Sequence, residues 1–215
     1  MDANINLAPF VFDYEHRFLG RSLVVHADCF DWMKRVPASS IHAIVTDPPY
    51  GVKEYEPEQL EKRMNGNGGI WRIPPAFDGY KRSPLPRFTA LNQAEREQIR
   101  QYFSEWARLA SSVLRPGGHI FLASNAFLSQ IVFTAVVDQG LEFRGQVIRL
   151  VRTMRGGDRP KNAEEEFPDV CTMPRSCYEP WGIFRKPMLA GMKVSDCLRE
   201  FQTGGLTAQT RWQPL

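Results

Sequence analysis

Cysteine, histidine and uninterrupted apolar sequence are all scarce in this chain of 215 residues. The four cysteines, Cys29, Cys171, Cys177 and Cys197, form no Cys-x-x-Cys pair, and none of the 4 histidines is spaced to complement them. Neither a zinc site nor a disulfide framework is therefore expected, no metal ligand is assigned, and a reduced, cytoplasmic setting follows. The most apolar stretch, residues 119–137, is broken by Ser124, Asn125, Ser129 and Gln130, so no membrane span is expected. No basic segment followed by an apolar run and a small-residue cleavage site opens the sequence, and no signal peptide is expected. A Gly-x-x-x-x-Gly-Lys-Ser/Thr loop is missing too, which disfavours phosphate-loop enzymes. There is no internal repeat.

What is present is a hydrophobic content of 43%, enough to fill one sizeable core. Net charge is only +3, but its distribution is uneven. Residues 62–87 hold six basic side chains (Lys62, Arg63, Arg72, Lys81, Arg82, Arg87) against Asp78, and residues 144–161 hold six (Arg144, Arg149, Arg152, Arg155, Arg159, Lys161) against Asp158. Each run carries a local +5. Such clusters bind phosphate backbones when they share a face, and are otherwise solvated surface.

Periodicity gives a strand at 23–26, a short helix after Asp28, and a buried strand at 41–46 (IHAIVT) that must stop at Asp47-Pro48-Pro49, because consecutive prolines lack amide donors. Residues 51–88 are rich in Gly, Pro and charge, and a loop of that length is usually functional unless its aromatics form a satellite core. Asn92 with Glu95 forms a capping-box start for a helix over 94–114, whose stripe is Ile99, Phe103, Trp106, Leu109, Ala110 and Val113. Arg115-Pro116-Gly117-Gly118 is read as its C-terminal turn. A strand at 119–123, a helix at 126–137 and a strand at 143–151 make a βαβ unit, hence an α/β fold with a mostly parallel sheet covered on both faces. Residues 178–185 read as a strand placed at an edge or bulged by Pro180, and 194–201 as a helix.

Asp47-Pro48-Pro49-Tyr50 carries the chemistry. It follows a buried strand directly, at the carboxyl end where α/β sheets bind ligands. The prolines stiffen the turn, Asp47 and the Pro48 carbonyl offer two acceptors, and Tyr50 offers a flat aromatic face. Together they fit a planar ring bearing an exocyclic amine, whose two N–H groups meet the two acceptors while the ring stacks on the tyrosine.

On these residues the chain resembles the DNA amino-methyltransferases. Three segments resemble that family in order: SLVVHADCFDWMKRVPASSIHAIVTDPPYG, EWARLASSVLRPGGHIFLASN and CYEPWGIFRKP, a resemblance spanning residues 22–205. It implies a Rossmann-like, S-adenosylmethionine-dependent fold in the permuted order, with the catalytic half first. It also implies that Asp47, Pro48, Pro49 and Tyr50 form the catalytic loop into which a base is flipped, with aspartate in first position pointing to adenine. Asp28, Cys29 and Asp47 would meet the cofactor, although Asp28 equally suits a helix N-cap. Arg72, Lys81, Arg82, Arg155, Arg159 and Lys161 would contact DNA phosphates.

The family's target-recognition segment, its His-Pro-x-x-Lys-Pro segment and its glycine-rich methionine-pocket loop are not matched in these residues. A single methyltransferase domain is therefore expected, incomplete at its C-terminal side. It divides into a strand-helix-strand unit (22–51), a basic loop (52–90), a helix-strand-helix-strand unit (91–152), a polar loop with an edge strand (153–205) and a tail (206–215). A second polypeptide carrying the cofactor half, or self-association, would complete it, and exposed apolar faces are expected. The alternatives are a noncatalytic DNA-binding remnant and, less favoured, an RNA or protein-amide methyltransferase.

Overall fold

The computed structural model describes residues 7–48, 91–155, 160, 162–171 and 176–206. After a 3-10 turn at Ala8–Phe10, β1 (Glu15–Leu19) and β2 (Ser22–His26) pair antiparallel, Leu19 opposite Ser22. Gly20 closes the two-residue turn at φ 57°, a conformation that a residue without Cβ adopts at no steric cost. Residues 23–26 are a strand as expected, but in a separate two-stranded sheet. All five β1 residues are exposed, so no burial pattern marks that strand in the sequence.

Asp28 starts α1 (Cys29–Arg35), its Oδ1 accepting from the backbone N–H of Phe30 at 2.9 Å and of Asp31 at 3.1 Å. Next come β3 (Ile41–Thr46) and, beyond residue 90, α2 (Gln93–Val113). The capping box forms as read: Asn92 Oδ1 accepts from Glu95 N at 2.9 Å, and Asn92 N donates to Glu95 Oε2 at 2.8 Å. The expected stripe is the buried one, and each large side chain in it contributes on the order of 1.5–3 kcal/mol.

The glycine pair after α2 is not a helix cap. The helix closes at Leu114 in extended conformation, and β4 (Leu114–Ala123) begins at once. A Cβ on Gly117 would stand 2.6 Å from Cys197 Sγ and 2.9 Å from Gly204 Cα. One on Gly118 would stand 2.9 Å from the His42 carbonyl. These glycines let three segments meet, and the meeting is hydrogen-bonded: Gly117 N to Lys186 O, Lys186 N to Gly118 O, and Gly204 N to Gly117 O.

Further on lie α3 (Ser129–Asp138), β5 (Glu142–Arg155), β6 (Ser176–Arg185) and α4 (Val194–Phe201). Asn125 Oδ1 accepts from Phe127 N at 2.8 Å, and this local turn delays the α3 start by three residues relative to the periodicity. The sheet order is β3-β4-β6-β5, with β3/β4 parallel and both β6 pairings antiparallel. Three strands thus run one way, as the βαβ pattern requires, with β6 inserted against them. A crossover sets strand direction without setting which strand becomes the neighbour.

The insertion corrects the expected edge position of residues 178–185. Pro180 is tolerated inside the sheet because its carbonyl accepts Ser124 N at 3.0 Å, just past the last β4 residue, so its missing N–H breaks no rung.

Ile44, Ile120 and Phe184 share one rung and join the core with the buried sides of α1, α2 and α3. Phe184 is fully buried and meets Phe133 and Phe143, each at 5.5 Å between ring centroids. The adjacent rung, Val45–Phe121–Ile183, faces the other way and leaves Val45 70% exposed. Among the described residues these helices therefore build one face of the sheet, not both, and the expected exposed apolar surface is found on the other. On the helix side, Leu150 lies opposite Tyr178 toward the far end of the edge strand β5 and is 80% exposed.

Candidate active site

The carboxyl end of β3 is the candidate site. Thr46 is the last residue paired with β4, opposite Leu122, and Asp47 and Pro48 follow it out of the sheet. Asp47 is exposed and Pro48 half-buried. The strand end thus presents a solvent-accessible carboxylate on a turn stiffened by proline, as read from the sequence. Pro49 and Tyr50 lie outside the described residues, as do Arg72, Lys81, Arg82, Arg159 and Lys161. Arg155 ends β5, opposite Ser176.

Neighbouring strands bring further polar groups to the same end of the sheet. Ser124, 1% exposed, follows the last residue of β4. On β6, Trp181 stands opposite Ala123 and its Nε1–H is buried without an acceptor. Two rungs further out, Glu179 pairs with Arg149 of β5: the Glu179 side chain is 5% exposed, that of Arg149 61%, and Nη1 donates to Oε2 at 2.8 Å. Neither Glu179 nor Trp181 was singled out by sequence. Glu179 sits within the recognised CYEPWGIFRKP segment, but only strand pairing shows that it is buried beside Arg149.

Asp28 has a demonstrated local task, because its Oδ1 caps α1. No hydrogen bond or ion pair joins Asp28 or Cys29 to Asp47 among the described residues. The Cys29 thiol is held above its ordinary pKa by burial and then by the Asp28 charge, which keeps it protonated near neutrality. It is therefore poorly suited to act as a nucleophile. A depression lined by Glu97, Arg100, Gln101 and Arg108 belongs to the polar side of α2, where Arg108 pairs with Glu105, and none of the site residues lines it.

No family model matches the chain. The Type II methyltransferase M.HindIII of Haemophilus influenzae is 23% identical over 197 residues, covering 84% of this chain and 63% of that protein. This likeness agrees with the resemblance read from Asp47-Pro48-Pro49-Tyr50 and the segments around it. It spans less than two thirds of the curated relative's length. Among solved structures, the cytosine-N4-specific PvuII DNA methyltransferase overlaps 80% of this chain and 51% of its own, with 12% identity and a TM-score of 0.47. The Thermus thermophilus protein TTHA0409, complexed with S-adenosyl-L-methionine, overlaps 79% and 57% with 14% identity and a TM-score of 0.42. The M1.HpyAVI-SAM complex overlaps 75% and 54% with 13% identity and a TM-score of 0.39. No helix among the described residues is long and apolar enough to cross a membrane.

Proposed function

We propose that the chain is the catalytic part of a site-specific DNA methyltransferase acting on the exocyclic amine of adenine, with S-adenosylmethionine as methyl donor. The observation that carries the proposal is the placement of Asp47-Pro48, the start of the Asp-Pro-Pro-Tyr sequence, at the carboxyl end of β3 beside a parallel neighbour. Aspartate in first position favours adenine over cytosine, by resemblance to the adenine enzymes.

The residues act by position and charge. The Asp47 carboxylate and the Pro48 carbonyl accept the two N–H groups of the amine, which turns its lone pair outward and raises its nucleophilicity. Tyr50 stacks on the flipped base and holds it in plane. When bound, S-adenosylmethionine supplies an electrophilic methyl group. No covalent bond to the chain is required, so the gain comes from orientation and from acceptors fixed before the reaction. Asp28 fits a contact to the cofactor's adenosine hydroxyls, because both capping bonds fall on Oδ1 and leave Oδ2 to accept; Cys29 lies beside it. Arg72, Lys81, Arg82, Arg155, Arg159 and Lys161 hold DNA phosphates. The exposed Val45, beside half-buried Phe121 and Ile183 on the same rung, supports a second polypeptide or a second copy packing against the sheet.

Transfer of a radiolabelled methyl group to duplex DNA tests the proposal. Label is expected in DNA, for the chain alone or mixed with polypeptides encoded beside it. Absence of label in every such mixture overturns it.

A further inference from the structure

We propose that Arg149, positioned by the buried carboxylate of Glu179, binds a backbone phosphate flanking the target base. This rests on the DNA-methyltransferase reading and adds to it a residue pair outside the recognised catalytic motif.

The placement comes from the strand register. Ala123 follows Leu122, the partner of Thr46, so the Ala123–Trp181–Val147 rung lies level with the point where Asp47 leaves β3. Arg149–Glu179 is the next rung outward on the same face, at the same end of the sheet. With strands about 4.8 Å apart, β5 lies three spacings, about 14 Å, from β3. Two residues along the strand add about 7 Å, so Arg149 lies about 16 Å from Asp47, and with each DNA strand advancing about 3.4 Å per nucleotide it would meet a phosphate within about five nucleotides of the base held at Asp47.

The asymmetry of the pair indicates what it does. Glu179 is buried at 5% side-chain exposure while Arg149 is 61% exposed, with one N–H given to Glu179 at 2.8 Å. A guanidinium carries five N–H donors in a rigid fork, so this tether orients the head and leaves donors toward solvent. A buried ion pair adds little to stability over an apolar replacement, whereas a fixed, exposed arginine suits bidentate recognition of phosphate. The surroundings match. The buried Trp181 Nε1–H, two residues along β6 from Glu179 on the same face, lacks an acceptor. This corner of the sheet offers donors, and a polyanion supplies acceptors.

The test uses the full chain and a fluorescent duplex, with binding measured across a salt series, S-adenosylmethionine affinity by calorimetry, and urea unfolding. Arg149→Gln alone would remove the ion-pair partner that Glu179 has at 2.8 Å, so the decisive variant is the Arg149→Gln/Glu179→Gln pair, which removes both charges. It is expected to fold with wild-type stability, to bind duplex on the order of tenfold more weakly at low salt, and to lower the slope of log affinity against log salt by about 0.9. Glu179→Gln alone keeps the positive charge, so the slope should stay at the wild-type value while affinity falls severalfold. An unchanged slope in the double variant overturns the inference and leaves the pair structural. Loss of S-adenosylmethionine affinity with DNA binding intact overturns it as well, in favour of a cofactor contact. If the wild-type chain methylates DNA and the slope does not move, only this inference fails. If neither the wild-type chain nor its mixtures with polypeptides encoded beside it bind or methylate DNA, the proposed function fails with it.

Discussion

Replacing Gly117 by alanine should destabilise the fold by about 2–5 kcal/mol, the sum of two independent penalties. Gly117 adopts φ 75°, where an L side chain places its Cβ against the following carbonyl at a cost of roughly 1–2 kcal/mol. The new methyl would also stand 2.6 Å from Cys197 Sγ and 2.9 Å from both Gly204 Cα and Gly204 N. Two of those three atoms are backbone, so relief requires moving the chain after α4 away from β4, and overpacking of this kind costs roughly 1–3 kcal/mol. The displacement also strains the Gly204 N to Gly117 O bond at 3.0 Å and the Cys197 Sγ to Pro116 O contact at 3.2 Å. Urea unfolding followed by far-ultraviolet circular dichroism reads the loss as a lower midpoint at unchanged slope. Gly20→Ala is the matched control: its φ is 57° with nothing within 4 Å, so it should show the conformational penalty alone. Equal losses for the two variants, or a Gly117→Ala loss within about 0.5 kcal/mol of zero, would refute the three-segment junction.

Three further outcomes follow from the same structure. Asp47→Ala should leave stability within about 0.5 kcal/mol of wild type, because the side chain is exposed, while lowering methyl transfer on the order of a hundredfold or more; retained activity would sink the catalytic assignment. At Asp28 the capping and cofactor roles separate by substitution: Asp28→Ala should cost about 1 kcal/mol of stability, whereas Asp28→Asn should keep the cap and lose S-adenosylmethionine affinity in a calorimetric titration. Unaltered affinity in Asp28→Asn would leave capping as its whole task. His119 is 7% exposed and held below its ordinary pKa by burial, then by Arg185 and Arg144, with Glu142 opposing. His42 is lowered as well, by burial and Arg115, with Gln202 opposing. Both are neutral in the folded state, so the unfolded chain binds more protons on acidification. Their stabilisation is whole above the unfolded value of about 6.5 and is lost as pH falls through the lower folded values. Melting temperature should therefore drop from pH 7 toward pH 5, and His119→Gln should flatten that dependence; an equally steep curve in the variant would contradict the burial account.

How much was readable in advance differs by element, for physical reasons. The α2 stripe and its capping box were legible because a 3.6-residue period and a reciprocal cap are local signals, and both formed as read. The end of β3 at Asp47 was legible because consecutive prolines cannot continue a ladder. By contrast, the insertion of β6 between β4 and β5 depends on long-range pairing that no local pattern carries. Gly117 and Gly118 looked like a helix cap because that motif has the same composition as a close-packed junction, and only the positions of Cys197, Gly204 and His42 distinguish them. The β1 strand gave no signal because none of its residues is buried. At the site, Asp47 and Pro48 were found by motif, whereas the Glu179–Arg149 pair joins residues thirty positions apart and becomes visible only through the β5/β6 register.

The most direct test of the central claim is the identity of the methylated nucleoside. Duplex DNA treated with the chain and labelled S-adenosylmethionine, alone and with polypeptides encoded beside it, is digested to nucleosides and separated by chromatography. The account predicts label in N6-methyladenine, abolished by Asp47→Ala. Label that survives Asp47→Ala, or no label in any DNA nucleoside under all of these conditions, would contradict it.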